Sequence, residues 1–499
     1  MVVAFPPTEP VTEADDLTPE RIEALLEANA ADDETQRARL ASLKGKHMLF
    51  VAGDFVYPAC AKFLCDHLQG LRAHGLYITA IFQQDKKKAY YDACRPAVDA
   101  ELFADLGASN GAENAVAAVR EAGLELDGVW SPHEAVVLLM SRIAALLKLP
   151  GNPPSAYEVA RDKFATREAL KEANINSIKA VQIWDVEDAD LAAREIGFPM
   201  IVKPSSGMGS AGVYRVDDNA ELRETLERVF ADIDSSWGLK VNHGAVQRQA
   251  PVLAETCVLP NIYGGRINEF DVEVVLNKGE LVYSNVLDNL EALPYTYQEL
   301  GSIAPSLSPR EVQEEMIQYA AAATRAMGFH TGAFHVETWM TPSGPILIEN
   351  NPRVGGGATV DTHINVWGVN PMLEFTLAML DIPINPPRAE EPFCVYGYIL
   401  PNAPLTGAIA DKADFLDETK KSPYFKTLNY FKKPKEAVKG LDTRLPDWIG
   451  EVHLRGNCTG EEMLAAMGEN LDLIHDAAAN CIVPAGPEAV EAGPEMAAV

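Results

Sequence analysis

The chain has 499 residues, 47% hydrophobic and 23% charged, the balance of a globular protein with length for about three domains. Its formal net charge of −30 leaves no basic surplus to neutralise nucleic-acid phosphates. No uncharged apolar run reaches membrane-spanning length, so small molecules are the expected partners, and any anionic one must be held by local lysines, arginines, metal or backbone N–H groups.

Residues 1–46 read as an acidic tail and a helix starting at Thr18 and Pro19, with Ile22, Leu25 and Leu26 at helical spacing. The first 35 residues carry ten acidic side chains and one Arg, the opposite of a targeting peptide. Seven cysteines, an odd count with no CxxC pair, read as reduced thiols of a cytoplasmic protein. From 47 to 150, strands at 47–53, 76–82 and 127–130 alternate with helices at 58–73, 112–122 and 134–148. That order predicts a doubly wound parallel α/β domain. Its first turn, Gly53-Asp54-Phe55, lacks the GxGxxG of a dinucleotide site, so no cofactor is expected there.

Gly151-Asn152-Pro153-Pro154 opens a second unit, 151–385, with a smaller part at about 165–255. Residues 155–173 read as one amphipathic helix bearing Asp162, Lys163 and Arg167. In FPMIVKPSSGMGSAGVYRV (198–216), Gly207, Gly209 and Gly212 satisfy GxGxxG literally, but a strand follows where that fingerprint needs a helix. The stretch reads as two antiparallel strands around a Gly/Ser loop. Ser205, Ser206, Gly207, Gly209 and Ser210 would offer N–H and hydroxyl groups to phosphate, and Lys203 a point charge. A helix at 218–232, a hairpin at 268–289 turning at Asn277-Lys278-Gly279-Glu280, and a helix at 309–327 opened by a Ser308–Glu311 capping box follow. A helix at 371–381 and the linker 383–392 lead to an α+β unit at 386–482. Residues 483–499 are an acidic tail.

Between the last two helices lies HTGAFHVETWMTPSGPILIENNPRVGGG (330–357), read as a hairpin. With a three-residue loop, Pro342 to Gly344, cross-strand partners sum to 686 and Glu337 faces Glu349. Two opposed carboxylates repel unless a cation sits between them. Asn351, on the same face, adds a neutral oxygen, and such an oxygen-only set suits Mg²⁺, with Mn²⁺ as a second candidate. Arg353 follows as a charge-stabilising group, and Gly355, Gly356 and Gly357 allow close backbone approach. A one-residue slip would instead leave solvated surface glutamates.

In order, these elements resemble the ATP-grasp superfamily of carboxylate–amine ligases: the DK…R…L helix, FPMIVKPSSGMGSAGV, and the HVE…IENNPR hairpin. Within it, DGVWSPHEA, FDVEVVL with Asp288-Asn289, and GAFHVETWMTPSGPILIENNPRVGGG are most similar to L-amino-acid (dipeptide) ligases and carnosine synthases. The resemblance implies an ATP-grasp fold with an N-terminal pre-ATP-grasp α/β domain and a C-terminal α+β domain. It further implies ATP- and Mg²⁺-dependent conversion of a carboxylate to an acylphosphate that an amine attacks. Lys163 and Lys203 would then bind ATP phosphates, Glu337, Glu349 and Asn351 would hold Mg²⁺, and Arg353 would stabilise the transferring phosphoryl group. Gly355 and Gly356 would border the substrate. Asp288 and Asn289 have two readings, orienting a substrate ammonium or capping a loop. Dimers are common among the enzymes it resembles. The chain departs from the pattern at Gln247-Arg248-Gln249, in the insertion 259–268, and at the three glycines after Val354. A ligase for a non-amino-acid carboxylate and a non-catalytic ATP-binding regulator are the rival readings.

Overall fold

The computed structural model describes residues 34–53, 58–84, 92, 94–207, 210–235, 251–258, 262–263, 266–267, 269–292, 297–389, 391–411, 414–443 and 445–484. The helix expected from Thr18, Gly209, Gln247 to Gln249, most of the insertion 259–268 and the tail from 485 lie outside these residues. Among the described residues, no helix is long and apolar enough to cross a membrane.

The first unit is a parallel sheet in the order Ala100–Ala104, Tyr77–Gln83, His47–Val51, Gly128–Trp130. Met48, Leu49, Phe50 and Val51 are all fully buried, as expected of a strand covered on both faces by helices. The edge strand Ala100–Ala104 was not predicted; AELFA is short, carries a Glu and is only partly covered. Gly128 is where this sheet meets the second unit: a Cβ there would lie 2.2 Å from the Met379 carbonyl oxygen. One apolar core runs from Phe50 and Trp130 through Phe334 and Phe375 to Tyr396.

The expected helix 155–173 is two helices, Pro154–Ala160 and Lys163–Glu172. Asp162 breaks the run by capping the second, its carboxylate accepting from Phe164 N at 2.9 Å. The break turns the Arg161 side chain toward the first unit and places Lys163 at the first helical position. Another difference concerns Ser308, whose capping box does not form. Helix Arg310–Ala326 has Pro309 at its cap without a side-chain bond, and Gln313 Nε2 instead donates to the Ser308 carbonyl at 2.7 Å.

The small sheet is antiparallel, ordered Ala180–Ile183, Val252–Thr256, Met200–Pro204, Tyr214–Val216. The large sheet has eight strands, from Gly344–Asn351 and Gly332–Thr341 through Glu269–Asn277, Glu280–Asn289 and Gly301–Ala304 to Val395–Ile399, Gly450–Gly456 and Phe425–Tyr430. The strands of the C-terminal unit therefore extend the sheet that carries the hairpin. Lys278 and Gly279 both have positive φ (51° and 89°), the geometry of a tight two-residue hairpin turn. The C-terminal helix Gly460–Cys481 is closed by a Thr459–Glu462 capping box.

Candidate active site

The hairpin pairs Glu337 directly with Glu349, by a different route from the expected one. Its loop is two residues, Thr341 pairs with Gly344, and partners sum to 685 up to Thr338 and Leu347. A bulge at Ile348 then adds one residue and brings Glu337 opposite Glu349 and His335 opposite Asn351. Asn351 Nδ2 donates to Glu337 Oε1 at 3.1 Å, and Lys163 Nζ donates to Glu349 Oε1 at 3.0 Å. Burial and the charge of Glu349 push the Glu337 carboxyl up to about 7. Burial works on Glu349 in the same direction, but Lys163 holds it below its ordinary value. Negative charge here exceeds its local counter-charge, and a divalent cation would relieve it. Among the described residues no group of three or more His, Cys, Asp or Glu side chains is arranged around a metal position. Two carboxylates and an amide oxygen fit an ion such as Mg²⁺ that keeps water and phosphate as its other ligands.

The next strand extends this face. Asp271 pairs with Glu337 and Glu273 with His335. His335 Nδ1 bonds Glu273 Oε1 at 2.5 Å, with Asp271 3.7 Å from Nε2. Burial pushes the imidazole down, but Asp271 and Glu273 together raise it to about 10, so it is a buried imidazolium. Glu299 belongs to the same field, pushed to about 8 by burial and by Asp271. Neither Asp271 nor Glu273 was among the expected site residues; their alternation with Val272 and Val274 in FDVEVVL, which sets both on one strand face, was the signal in the sequence.

Lys203 is 6% exposed and has a buried partner in Glu255. Arg167 Nη2 lies 3.3 Å from the same carboxylate and donates to the Ile348 carbonyl at 2.9 Å. Burial pushes Glu255 up, yet Lys203 and Arg167 hold it below its ordinary value. The triad carries a net positive charge, and Lys203 has donors left for an anion. Glu255 was missed, although an apolar strand containing a Lys calls for a carboxylate on its neighbour.

The Gly/Ser loop is docked through its hydroxyls. Ser206 Oγ donates to the Arg161 carbonyl at 2.8 Å and Ser210 Oγ to the Tyr297 carbonyl at 2.7 Å. Ser205 is buried and its carbonyl accepts from Lys163 N at 3.1 Å, with Gly207 beyond. The hydroxyls of Ser206 and Ser210 thus serve the loop's own anchorage.

Arg353 lies after the strand has ended, in a turn closed by its N–H to the Asn351 carbonyl at 2.7 Å. Its Nε donates to Glu134 Oε2 at 3.0 Å, while Arg161 Nη1 donates to Glu134 Oε1 at 2.6 Å. Glu134, from the first unit, therefore holds two guanidiniums at once. No local spacing could have revealed it, since Glu134 and Arg353 are 219 residues apart.

Asp288 and Asn289 separate. Asp288 Oδ2 accepts from Leu307 N at 2.8 Å, the loop-capping reading, and points to the face opposite the carboxylates. Asn289 is on the carboxylate face and donates to Asp271 Oδ1 at 2.9 Å. A Cβ on Gly355 would lie 2.7 Å from His335 Nδ1, whereas one on Gly356 would meet nothing within 4 Å. Gly355 is thus required by packing, and Gly356 borders open space.

Residues 196–361 match the ATP-grasp domain family. Carnosine synthase 1 of Gallus gallus is 28% identical over 282 residues, 54% of this chain and 29% of that protein. Alanine–anticapsin ligase of Bacillus subtilis (strain 168) is 28% identical over 263 residues, 51% of this chain and 53% of that protein. The chain thus spans about half or less of the length of these curated relatives. An L-amino acid ligase from Bacillus licheniformis superposes with a TM-score of 0.71 at 22% identity, covering 89% of this chain and 100% of its own. A carboxyaminoimidazole ribonucleotide synthase from Aspergillus clavatus, solved with ATP, does so with a TM-score of 0.63 at 17% identity, over 87% and 99%. The fold is that of the ATP-grasp ligases.

Proposed function

We propose that this chain, built on an ATP-grasp domain, is an ADP-forming ligase that joins a carboxylate to an amine through an acylphosphate, with amino acids as the substrate class. The observation that carries this is the opposed pair Glu337 and Glu349, with Lys163 bonded to Glu349 and Asn351 to Glu337. The names of the relatives, which include a carnosine synthase, an alanine–anticapsin ligase and an L-amino acid ligase, point the same way.

Lys163, Lys203 and the N–H groups of the Gly/Ser loop hold the phosphates. Glu337, Glu349 and Asn351 would hold Mg²⁺, or Mn²⁺ with the same oxygen donors. Held by these residues, such an ion would supply positive charge against the phosphate oxygens. A substrate carboxylate oxygen attacks the γ-phosphorus and ADP leaves. The amine nitrogen then attacks the acyl carbon, loses a proton, and inorganic phosphate departs. Arg353, fixed by Glu134, meets the charge that grows on the moving phosphoryl group. Asn289 and the acidic face beyond it suit a substrate ammonium.

The test is ADP release with ATP and Mg²⁺ across a matrix of amino acid pairs. The expected result is release that requires both the metal and a carboxylate substrate. Tight ATP binding with no ADP from any carboxylate–amine pair would replace the ligase reading with a regulatory one.

A further inference from the structure

The C-terminal strands carry a buried polar cluster that the proposed reaction does not use. Asn289 pairs with Ser302, Ser302 with Tyr398, and Tyr398 with His453. The cluster therefore lies on the same sheet face as Asp271, Glu337 and Glu349. Tyr398 and His453 are 3% exposed and Glu451 is 7% exposed. The Tyr398 hydroxyl donates to Glu451 Oε2 at 3.1 Å, and Asn429 Nδ2 donates to Oε1 at 2.7 Å. Burial pushes Glu451 up, but the neighbouring His453 and hydrogen bonds from Asn429 and Tyr398 hold it below its ordinary value. It accepts as an ion, which makes these bonds strong ones.

On its other side, Tyr398 backs onto the turn that begins at Arg353. Gly357 has φ +54°, and a Cβ there would lie 2.5 Å from the Tyr398 hydroxyl oxygen. At the near end of the same turn, a Cβ on Gly355 would lie 2.6 Å from Thr359 and 2.7 Å from His335. Packing pins the turn at both ends. The helix that follows, Thr359–Trp367, is tied to the same strands by Arg455 Nη1 donating to Asn365 Oδ1 at 2.7 Å.

We propose that Tyr398 is a positioning residue: backed by Glu451 and Asn429, it fixes the Arg353–Gly357 turn, so the C-terminal strands set the backbone from which Arg353 reaches the reaction. This rests on the role given to Arg353 above. Glu134 holds the guanidinium from the first unit, and Tyr398 holds the turn beneath it from the last. Catalysis is sensitive to such support, because a misplacement of about 1 Å costs up to about 10²-fold in rate.

The test compares the full-length chain with Tyr398→Phe, Gly357→Ala and the double variant, measuring kcat, ATP affinity by calorimetry and unfolding by urea. Tyr398→Phe is expected to lower kcat about 10-fold, within that range, while ATP affinity holds. Gly357→Ala should lower kcat further, and removing the hydroxyl in the double variant should recover part of that loss, since residues in contact do not act additively. A wild-type kcat for Tyr398→Phe overturns the proposal. So does a double variant that is additive in both kcat and unfolding, or a fall in kcat matched by equal falls in ATP affinity and stability. If the unaltered chain releases no ADP, the ligase reading fails instead, and coupling in unfolding alone decides whether Tyr398 fixes the turn.

Discussion

The Lys203–Glu255–Arg167 triad makes a prediction whose sign depends on charge count. Glu255 is 4% exposed and Arg167 is 2% exposed, and their charged atoms lie 3.3 Å apart. At an effective dielectric of about 20, that contact alone is worth roughly 5 kcal/mol before desolvation. Replacing Lys203 by Met leaves one buried anion against one buried cation, and we expect a loss of about 1 kcal/mol, far below the cost of orphaning a charge. Replacing Glu255 by Gln leaves two buried cations facing an amide, and the expected loss is about 3–5 kcal/mol. Lys203→Met placed on Glu255→Gln should then recover part of that loss. Calorimetric titration with a non-hydrolysable ATP analogue should show weakened binding in Lys203→Met despite its near-normal stability, if phosphate is, as proposed, the anion that balances the triad. Urea unfolding checks the ranking. A Glu255→Gln variant no less stable than Lys203→Met, or a double variant less stable than Glu255→Gln, would refute the reasoning.

Glu349→Gln should bring ADP release to background, since an amide cannot replace a carboxylate between Lys163 and a metal. Its metal-free stability should change by no more than about 1 kcal/mol, relief of repulsion with Glu337 offsetting the weakened Lys163 contact; a much larger drop in urea unfolding would mark Glu349 as structural. Arg353→Ala should lower kcat on the order of 10²-fold, the scale for a preorganised charge-stabilising donor, with ATP affinity little changed. A near-wild-type kcat removes Arg353 from the mechanism. His363 is fully buried, its Nδ1 2.5 Å from the Tyr283 hydroxyl, and burial with the His335 charge pushes it from 6.5 down to about 3. With the folded value depressed, its contribution is complete above the unfolded value and lost as pH falls: about 2 kcal/mol by pH 5. Urea unfolding between pH 7 and 5 should show a shallower decline in His363→Gln, and an unchanged slope would rule His363 out as its source.

The hydrophobic periods made most helices and the buried strands of the first unit legible, because burial on both faces leaves an unbroken apolar run such as Met48 to Val51. Ala100–Ala104 escaped because an edge strand is stabilised by its one neighbour and need not be apolar. The split at Arg161 and Asp162 was missed for a related reason. Amphipathic spacing continues across it, and only the Asp162 side chain, turned back to cap Phe164 N, tells the backbone to restart. That single residue decides where Arg161 points, and hence whether Arg161 reaches Glu134.

The hairpin shows how a site can be legible through an argument that is locally mistaken. A three-residue loop and a two-residue loop with one bulge both end with Glu337 opposite Glu349, since each adds one residue to the second strand between turn and site. The sequence reading rested on the loop length, and the pairing of Glu337 with Glu349 survives because the bulge at Ile348 supplies the residue that the shorter loop lacks. The bulge has its own consequence. It falls at Ile348, whose carbonyl accepts from Arg167 at 2.9 Å. Arg167 also holds Glu255, the partner of Lys203. The irregularity that sets Glu337 opposite Glu349 is therefore tied to the proposed phosphate lysine. Pairing sums along the hairpin alone could not show that link, because it runs through a buried cation 181 residues away.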